Sequence, residues 1–321
     1  MKRLTAAVLG LGRIGQGYDY DCADDSHVVT HASGFSHHPA FELVAGIDTN
    51  PLARKRFENK YAKPAFASVK GMADNIRPDV ISIGVPTAQH AGAFAEALTR
   101  GPRAILCEKP IAGSTAEARQ MVAAARENKC ALLVNYMRRF EPGVLTLHRS
   151  ITTGQYGEIY KGVAWYSKGL RNNGSHFIDL LRFLLGEVTA CEVLSKGRRG
   201  DNGDPEPDVK IRFGTADIYL LAAREECFSI AEFELVGARG RIAYRNGGSA
   251  IQAWETGPDP DFPGYSILAH NPVAVPNDFM RHQWHVVDHL YRHLTAHVPL
   301  NSSGETAIAT LQVVETLISK L

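Results

Sequence analysis

Thr5-Ala6-Ala7-Val8-Leu9-Gly10-Leu11-Gly12-Arg13-Ile14-Gly15 opens the chain with a short apolar run that breaks directly into regularly spaced glycines. The run has the composition of a buried strand, and Gly-x-Gly-x-x-Gly at its end is the spacing of a dinucleotide-binding turn. The first glycine makes the turn, the second lets the backbone approach a pyrophosphate, and the third lets the next helix pack against the strand. Amides at the start of that helix then face the phosphates, with Arg13 and Ile14 beside them. A second strand, Phe41-Glu42-Leu43-Val44-Ala45-Gly46-Ile47, ends at Asp48. A carboxylate there accepts both ribose hydroxyls and repels a 2′-phosphate, so the unit reads as an NAD site. Arg54, Lys55 and Arg56 on the following helix keep NADP open. The competing reading is a tight turn with Asp48 capping that helix.

Working outward, short apolar runs alternate with stretches of helical periodicity. Strands are expected at Thr5–Leu9, Phe41–Ile47, Val80–Gly84, Ala104–Cys107 and Ala131–Val134. Helices are expected at Ala53–Tyr61, His90–Arg100 and Thr115–Asn128. This order predicts a doubly wound parallel sheet, a Rossmann domain, over residues 1–138. After about Arg139 the rhythm changes. Helices at Val144–Thr153 and Ser175–Leu185 precede a run of strands: Ala190–Ser195, Asp208–Phe213, Ala216–Ala222, Ser229–Val236, Gly240–Tyr244 and Ala250–Glu255. Helices at Asp278–Ala296 and Glu305–Lys320 follow. Residues 139–321 are therefore expected to form an α+β domain with a large, mostly antiparallel open sheet.

Asp48 lies well beyond the roughly 20 residues that usually separate such an acid from the glycine turn. The excess, Gly17-Tyr18-Asp19-Tyr20-Asp21-Cys22-Ala23-Asp24-Asp25-Ser26-His27, reads as an insertion near the start of the first helix. It is either a rim of the substrate site or an acidic surface loop. No ligand spacing supports a metal site from these aspartates with His27 and His31, and no metal is expected.

The charge balance, 35 Lys and Arg against 34 Asp and Glu, gives a net charge of +1. Nothing in it suggests a nucleic-acid partner, and no run approaches the ~18 apolar residues of a membrane helix. The five cysteines are scattered and odd in number, as expected of reduced thiols in a cytoplasm.

Ile105-Leu106-Cys107-Glu108-Lys109-Pro110 puts an acid and a base at the carboxyl end of a buried strand, the edge where ligands bind in such sheets. An ammonium at Lys109 can hydrogen-bond a substrate hydroxyl and stabilise alkoxide-like charge. With Gly10–Gly15, this motif, Val85-Pro86-Thr87-Ala88-Gln89-His90, Asn135-Tyr136-Met137-Arg138-Arg139-Phe140 and Gly174-Ser175-His176-Phe177-Ile178-Asp179-Leu180-Leu181 resemble the Gfo/Idh/MocA family of glucose-fructose oxidoreductase and inositol dehydrogenase. The similarity runs to Asn301-Ser302-Ser303-Gly304-Glu305-Thr306-Ala307. The resemblance implies that Lys109 is catalytic and Glu108 a cofactor-side acid, and that Val85, Pro86 and His90 belong to the loop beside the cofactor. It also implies that His176 relays the substrate's proton. Where many members carry an aspartate four positions before that histidine, this chain has Asn172, and an amide takes up no proton at neutral pH. Asp179, one turn beyond His176, orients it or caps a neighbour. Tyr136, Arg138, Tyr166, Lys168, Asn172 and Asn173 are expected substrate contacts, and Arg139 a residue of the domain junction.

The expected function is NAD(P)-dependent hydride transfer between nicotinamide and a secondary alcohol or ketone of a sugar, sugar nucleotide or polyol. The expected assembly is a homo-oligomer, dimer or tetramer. The alternatives are a cofactor-assisted hydrolase or epimerase without net redox, and an NAD(H)-binding sensor without turnover.

Overall fold

The computed structural model describes residues 3–22, 24–200 and 203–321; Ala23 of the insertion lies outside them. The chain divides into two compact units, Met1–Phe140 with Met280–Ala309, and Glu141–Phe279 with Thr310–Leu321.

The first unit is built on β1 (Leu4–Leu9), α1 (His31–His37), β2 (Phe41–Ile47), α2 (Pro51–Tyr61), β3 (Ala65–Phe66), β4 (Val80–Ile83), α3 (His90–Leu98), β5 (Ala104–Cys107), α4 (Thr115–Glu127) and β6 (Ala131–Val134). The strands form a six-stranded sheet in the order β3-β2-β1-β4-β5-β6. Every pairing is parallel. All residues of β4 and β5 are buried, which is why those strands read as unbroken apolar runs. Local signals end the helices where they should: Asn50 accepts the Leu52 N–H at the start of α2, and Ser114 accepts the Glu117 N–H at the start of α4.

Two features depart from the sequence reading. The glycine turn leads into a single π-helical turn, Arg13–Gly17, and the first helix proper starts only at His31, capped by Thr30. The insertion thus separates the glycine turn from its helix. The segment 280–309, expected in the second domain, belongs to the first unit. Val286, Val287 and Leu290 of α7 (His282–Ala296) complete a core with Phe35, Phe41 and Phe140.

The second unit contains α5 (Pro142–Thr152), β7 (Ile159–Tyr166), α6 (Ser175–Leu185), β8 (Val188–Arg199), β9 (Pro205–Phe213), β10 (Ala216–Ala222), β11 (Ala231–Gly237), β12 (Gly240–Arg245), β13 (Ala250–Pro258), β14 (Ser266–Leu268) and β15 (Val273–Ala274). Helix α8 (Gly304–Ile318) starts in the first unit and ends in the second. Eight strands run in the order β14-β13-β12-β11-β7-β10-β9-β8, with β15 paired to β13. Only the central pair β7 and β10 is parallel; the rest is antiparallel, as expected. Strand β7 has no counterpart in the sequence reading. Exposed Tyr160 and Trp165, together with Gly162, break its alternation.

His289 of α7 is buried at 4% exposure, packs on Phe140, and its Nε2 accepts the Asn301 N–H at 3.2 Å. That bond needs a bare ring nitrogen. Burial, reinforced by Arg292 and His293, pushes the imidazole down to about 4. The unfolded chain therefore binds this proton more readily, and the associated stability, full above pH ~6.5, drains away as pH falls towards 4. In urea unfolding the parent should lose about 2 kcal/mol more than His289→Gln between pH 7 and pH 5. Parallel losses would remove His289 as the cause.

Candidate functional site

The carboxyl ends of the first sheet surround a cavity of about 570 Å³ lined by Gly10, Gly12, Asp48, Gly84, Val85 and Pro86, among others. The glycines have distinct jobs. Gly10 has φ +94°, and a Cβ on it would lie 2.6 Å from the Gly84 carbonyl carbon. A Cβ on Gly15 would lie 1.9 Å from the Gly10 carbonyl oxygen, so this glycine lets two backbones cross. Around Gly12 a Cβ would meet nothing within 4 Å. That open cradle is what a pyrophosphate needs. Ile14 packs near Gly84, and Arg13 lines a neighbouring surface cleft.

Asp48 is aimed by the turn it serves. Its Oδ2 accepts the Leu11 N–H at 2.7 Å and its Oδ1 the Asn50 N–H at 2.8 Å. Arg54 Nη1 donates to the Asp48 and Thr49 carbonyls, and Arg56 stacks 4.1 Å over the Tyr20 ring. Sequence reading missed Thr49 and Ser68 on the cavity wall, which carry no motif, and did not single out Gln89 within the Val85–His90 motif.

Strand β5 delivers Glu108 and Lys109 to the same edge, and the Lys109-Pro110 peptide is cis. Glu108 Oε1 accepts Asn135 Nδ2 at 2.5 Å and lies 3.1 Å from His31 Nε2. Burial pushes this carboxyl up; the bonds from His31 and Asn135, with the Lys109 charge, outweigh it and hold Glu108 below the usual carboxylate range. Asn135 Oδ1 is buried without a hydrogen-bond partner among the described residues. An acceptor left over beside the lysine suits a carboxamide N–H, so the residues present fit a nicotinamide dinucleotide.

His90 does other work than the sequence suggested. It is 1% exposed, with Nε2 at the Val85 carbonyl and Nδ1 at the Pro110 carbonyl, each 3.0 Å away. It ties the 85–90 loop to the Glu-Lys-Pro exit from within the protein. Arg139, 5% exposed, donates to the Asn301 carbonyl at 3.0 Å. Tyr136 and Arg138 sit beyond β6, both buried.

In the second unit, a π-helical turn, Gly169–Gly174, carries Asn172 and Asn173 into α6, whose second residue is the half-buried His176. The turn wraps around Asp204, whose carboxylate accepts the Arg171 and Asn172 N–H groups at 3.1 and 3.0 Å. Burial pushes the Asp204 carboxyl above its ordinary range against those bonds. Asp179 accepts the Thr310 hydroxyl at 2.9 Å, and Lys168 pairs with Glu225 at 3.1 Å. Tyr166, expected to touch substrate, is fully buried with its hydroxyl donating to the Pro207 carbonyl at 2.6 Å. It is a core residue of β7. Lys109 and His176 belong to different units.

Among the described residues no three His, Cys, Asp or Glu side chains gather as a metal site, and no helix is long and apolar enough to cross a membrane.

Residues 4–136 match the model of an oxidoreductase family with an NAD-binding Rossmann fold. Inositol 2-dehydrogenase of Rhizobium meliloti (strain 1021) is 28% identical over 74% of this chain and 74% of its own length. D-glucoside 3-dehydrogenase of Escherichia coli (strain K12) is 29% identical over 72% of this chain and 67% of its own. The solved structure of aldose-aldose oxidoreductase from Caulobacter crescentus, complexed with glycerol, superposes with a TM-score of 0.80 at 19% identity, covering 99% of this chain and 97% of that one. It shares the fold.

The glycine geometry separates cofactor binding from folding. Gly12→Ala, placed in open space at φ −74°, should leave stability within about 1 kcal/mol and weaken NADH binding at least tenfold, about 1.4 kcal/mol. Gly15→Ala should lower the melting temperature of the ligand-free protein. Equal NADH affinity in parent and Gly12→Ala, followed by fluorescence titration, would count against the cradle.

Proposed function

We propose that the chain, whose residues 4–136 match the model of an oxidoreductase family with an NAD-binding Rossmann fold, is a dehydrogenase or reductase acting on a secondary alcohol or ketone of a sugar, sugar nucleotide or polyol. The observation that carries this reading is the meeting, at one sheet edge, of the open glycine cradle, the ribose-side Asp48 and Lys109 next to an ionised, buried Glu108. The names of the R. meliloti and E. coli relatives, an inositol and a glucoside dehydrogenase, support the substrate class.

NAD is the favoured cofactor. Asp48 sits where a 2′-phosphate would be repelled, and Arg54 and Arg56 are engaged with backbone carbonyls and Tyr20. When bound, the nicotinamide supplies the hydride acceptor or donor. Lys109 Nζ donates to the substrate oxygen and stabilises the negative charge that grows there. His176 takes or returns the hydroxyl proton in this reading, an imidazole nitrogen being able to accept a proton and to give it back. Asn172, in the place of an acid, orients hydroxyl groups with Asn173 and leaves the proton to His176. Tyr136, Arg138 and Lys168 serve as further polar contacts.

The favoured setting is a cytoplasmic homo-oligomer. Free cysteines, two of them buried, support the first part. Exposed Tyr160 and Trp165 on the central strand of the second sheet support the second.

Absorbance at 340 nm with NAD+ or NADP+ and a panel of inositols, glycosides and sugar nucleotides, with product analysis, should reveal net hydride transfer. Lys109→Ala should lower kcat at least a hundredfold while NADH affinity stays within a few-fold. Unchanged kcat would overturn the lysine's role. Products without net absorbance change would indicate hydrolysis or epimerisation, and tight NADH binding without turnover a sensor.

A further inference from the structure

Four side chains of the first unit close a hydrogen-bonded ring beside Lys109. Asn135 Nδ2 donates to Glu108 Oε1 at 2.5 Å and to Gln283 Oε1 at 3.0 Å. Gln283 Nε2 lies 3.1 Å from His31 Nδ1, and His31 Nε2 lies 3.1 Å from Glu108 Oε1. His31 and Gln283 are fully buried and Asn135 is 3% exposed. With Glu108 ionised, their donors and acceptors fit in one sense only.

Asn135 has two N–H groups on its amide and uses both, so Gln283 must offer it oxygen and turn its own amide nitrogen to His31. His31 Nδ1 is then an acceptor, and the ring proton sits on Nε2, donated to Glu108. A second proton on His31 would face the Gln283 NH2 group. Turning Gln283 over would oppose two NH2 groups, and turning Asn135 over would set its oxygen against the Glu108 carboxylate. Beside an ionised Glu108 the ring therefore fits a neutral imidazole.

The insertion holds the backbone beside one ring member, His31, and the residue that follows the insertion, Val28, holds that of a second, Gln283. Asp19, 1% exposed, accepts the Val29 and Thr30 N–H groups at 2.9 and 3.0 Å and the Thr30 hydroxyl at 2.7 Å. The Ser33 hydroxyl also donates to it. His31 begins the helix held by this clamp. Just before it, the Val28 N–H donates to the Met280 carbonyl at 2.9 Å, and the Val28 carbonyl accepts the Gln283 N–H at 3.1 Å. On the far side of the insertion, Lys60 Nζ donates to the Asp19 and Tyr20 carbonyls at 2.7 and 2.6 Å.

We propose that His31 is a positioning residue for the lysine site, holding Glu108 ionised and aimed as its neutral Nε2–H tautomer, and that the Gly17–His27 insertion sets it in place through Asp19. The functional weight of this rests on the assignment of Lys109 to catalysis; the geometry and its test do not. The titratable groups facing Glu108 are His31 from α1 and, next to it in the chain, Lys109 and Cys107. Asn135 and Gln283 are neutral.

The test is nuclear magnetic resonance on the full chain without substrate. Long-range 1H–15N correlation at pH 7.5 should show His31, assigned through His31→Gln, as the Nε2–H neutral form; an Nδ1–H tautomer or an imidazolium would overturn the proposal without any variant being needed. Carboxyl 13C titration of Glu108 should show proton binding about tenfold tighter in His31→Phe, and close to the parent in His31→Gln, whose amide can donate from the same place. A shift in the same direction in Asp19→Asn, which leaves every ring side chain intact, is expected if the insertion sets His31. An unmoved Glu108 in His31→Phe overturns the positioning role, and an unmoved Glu108 in Asp19→Asn overturns the part given to the insertion. Neither result depends on the Lys109→Ala rates, so failure here and failure of the oxidoreductase reading stay distinguishable.

Discussion

The reversal of strand order between β1 and β4 is the constraint from which the first unit follows. Chain segments leave neighbouring parallel strands towards opposite faces there, and a crevice opens at the carboxyl edge of the sheet. The groups that line the crevice hang from such ends: Gly10 after β1, Asp48 after β2, Val85 and Pro86 after β4, Glu108 and Lys109 after β5, Asn135 after β6, with His31 and Gln283 brought up to Glu108 and Asn135 from helices. Their chemistry differs, and their common position comes from the sheet. At the floor of the crevice, the turn after Gly12 crosses the Gly10 carbonyl more closely than any side chain on Gly15 would allow.

Most of that edge was legible from residues 4–136, because parallel strands buried on both faces write themselves as apolar runs and their exits as motifs. Strand β7 was not legible. It is the centre of a sheet with aromatic side chains on its outer face, so apolar residues stand on both faces and the period-two signal disappears. The home of α7 was equally hidden, since an amphipathic helix does not record in its own sequence which core its apolar stripe joins.

At the carboxyl edge of the first sheet, residues that stand out by chemical type were legible in the sequence, and residues brought there by hydrogen bonds were not. Glu108 and Lys109 stand out as charges at a strand end. Gln283 is an amide on a helix far along the chain, and His31 sits behind an insertion that displaced it from the glycine turn. Tyr166 and His90 erred the other way: each has the polar tip of a contact residue, and each spends it on a main-chain carbonyl inside the protein. Side-chain type indicates what a residue can do, and only burial and partner geometry decide whether ligand or protein receives it.

The place of α7 also bears on synthesis. Phe35 and Phe41 share a core with Val286 and Leu290, and Gln283 closes the ring around Glu108, so the dinucleotide unit is discontinuous in the order in which a ribosome makes it. Its first 140 residues emerge with an apolar flank and a buried carboxylate still lacking their cover. The intervening unit, Glu141–Phe279, must leave the exit tunnel before that cover arrives. Domains tend to fold as units, N-terminal first, during translation. Here the earlier-made domain is finished by a later segment, and its apolar flank waits uncovered while Glu141–Phe279 is synthesised.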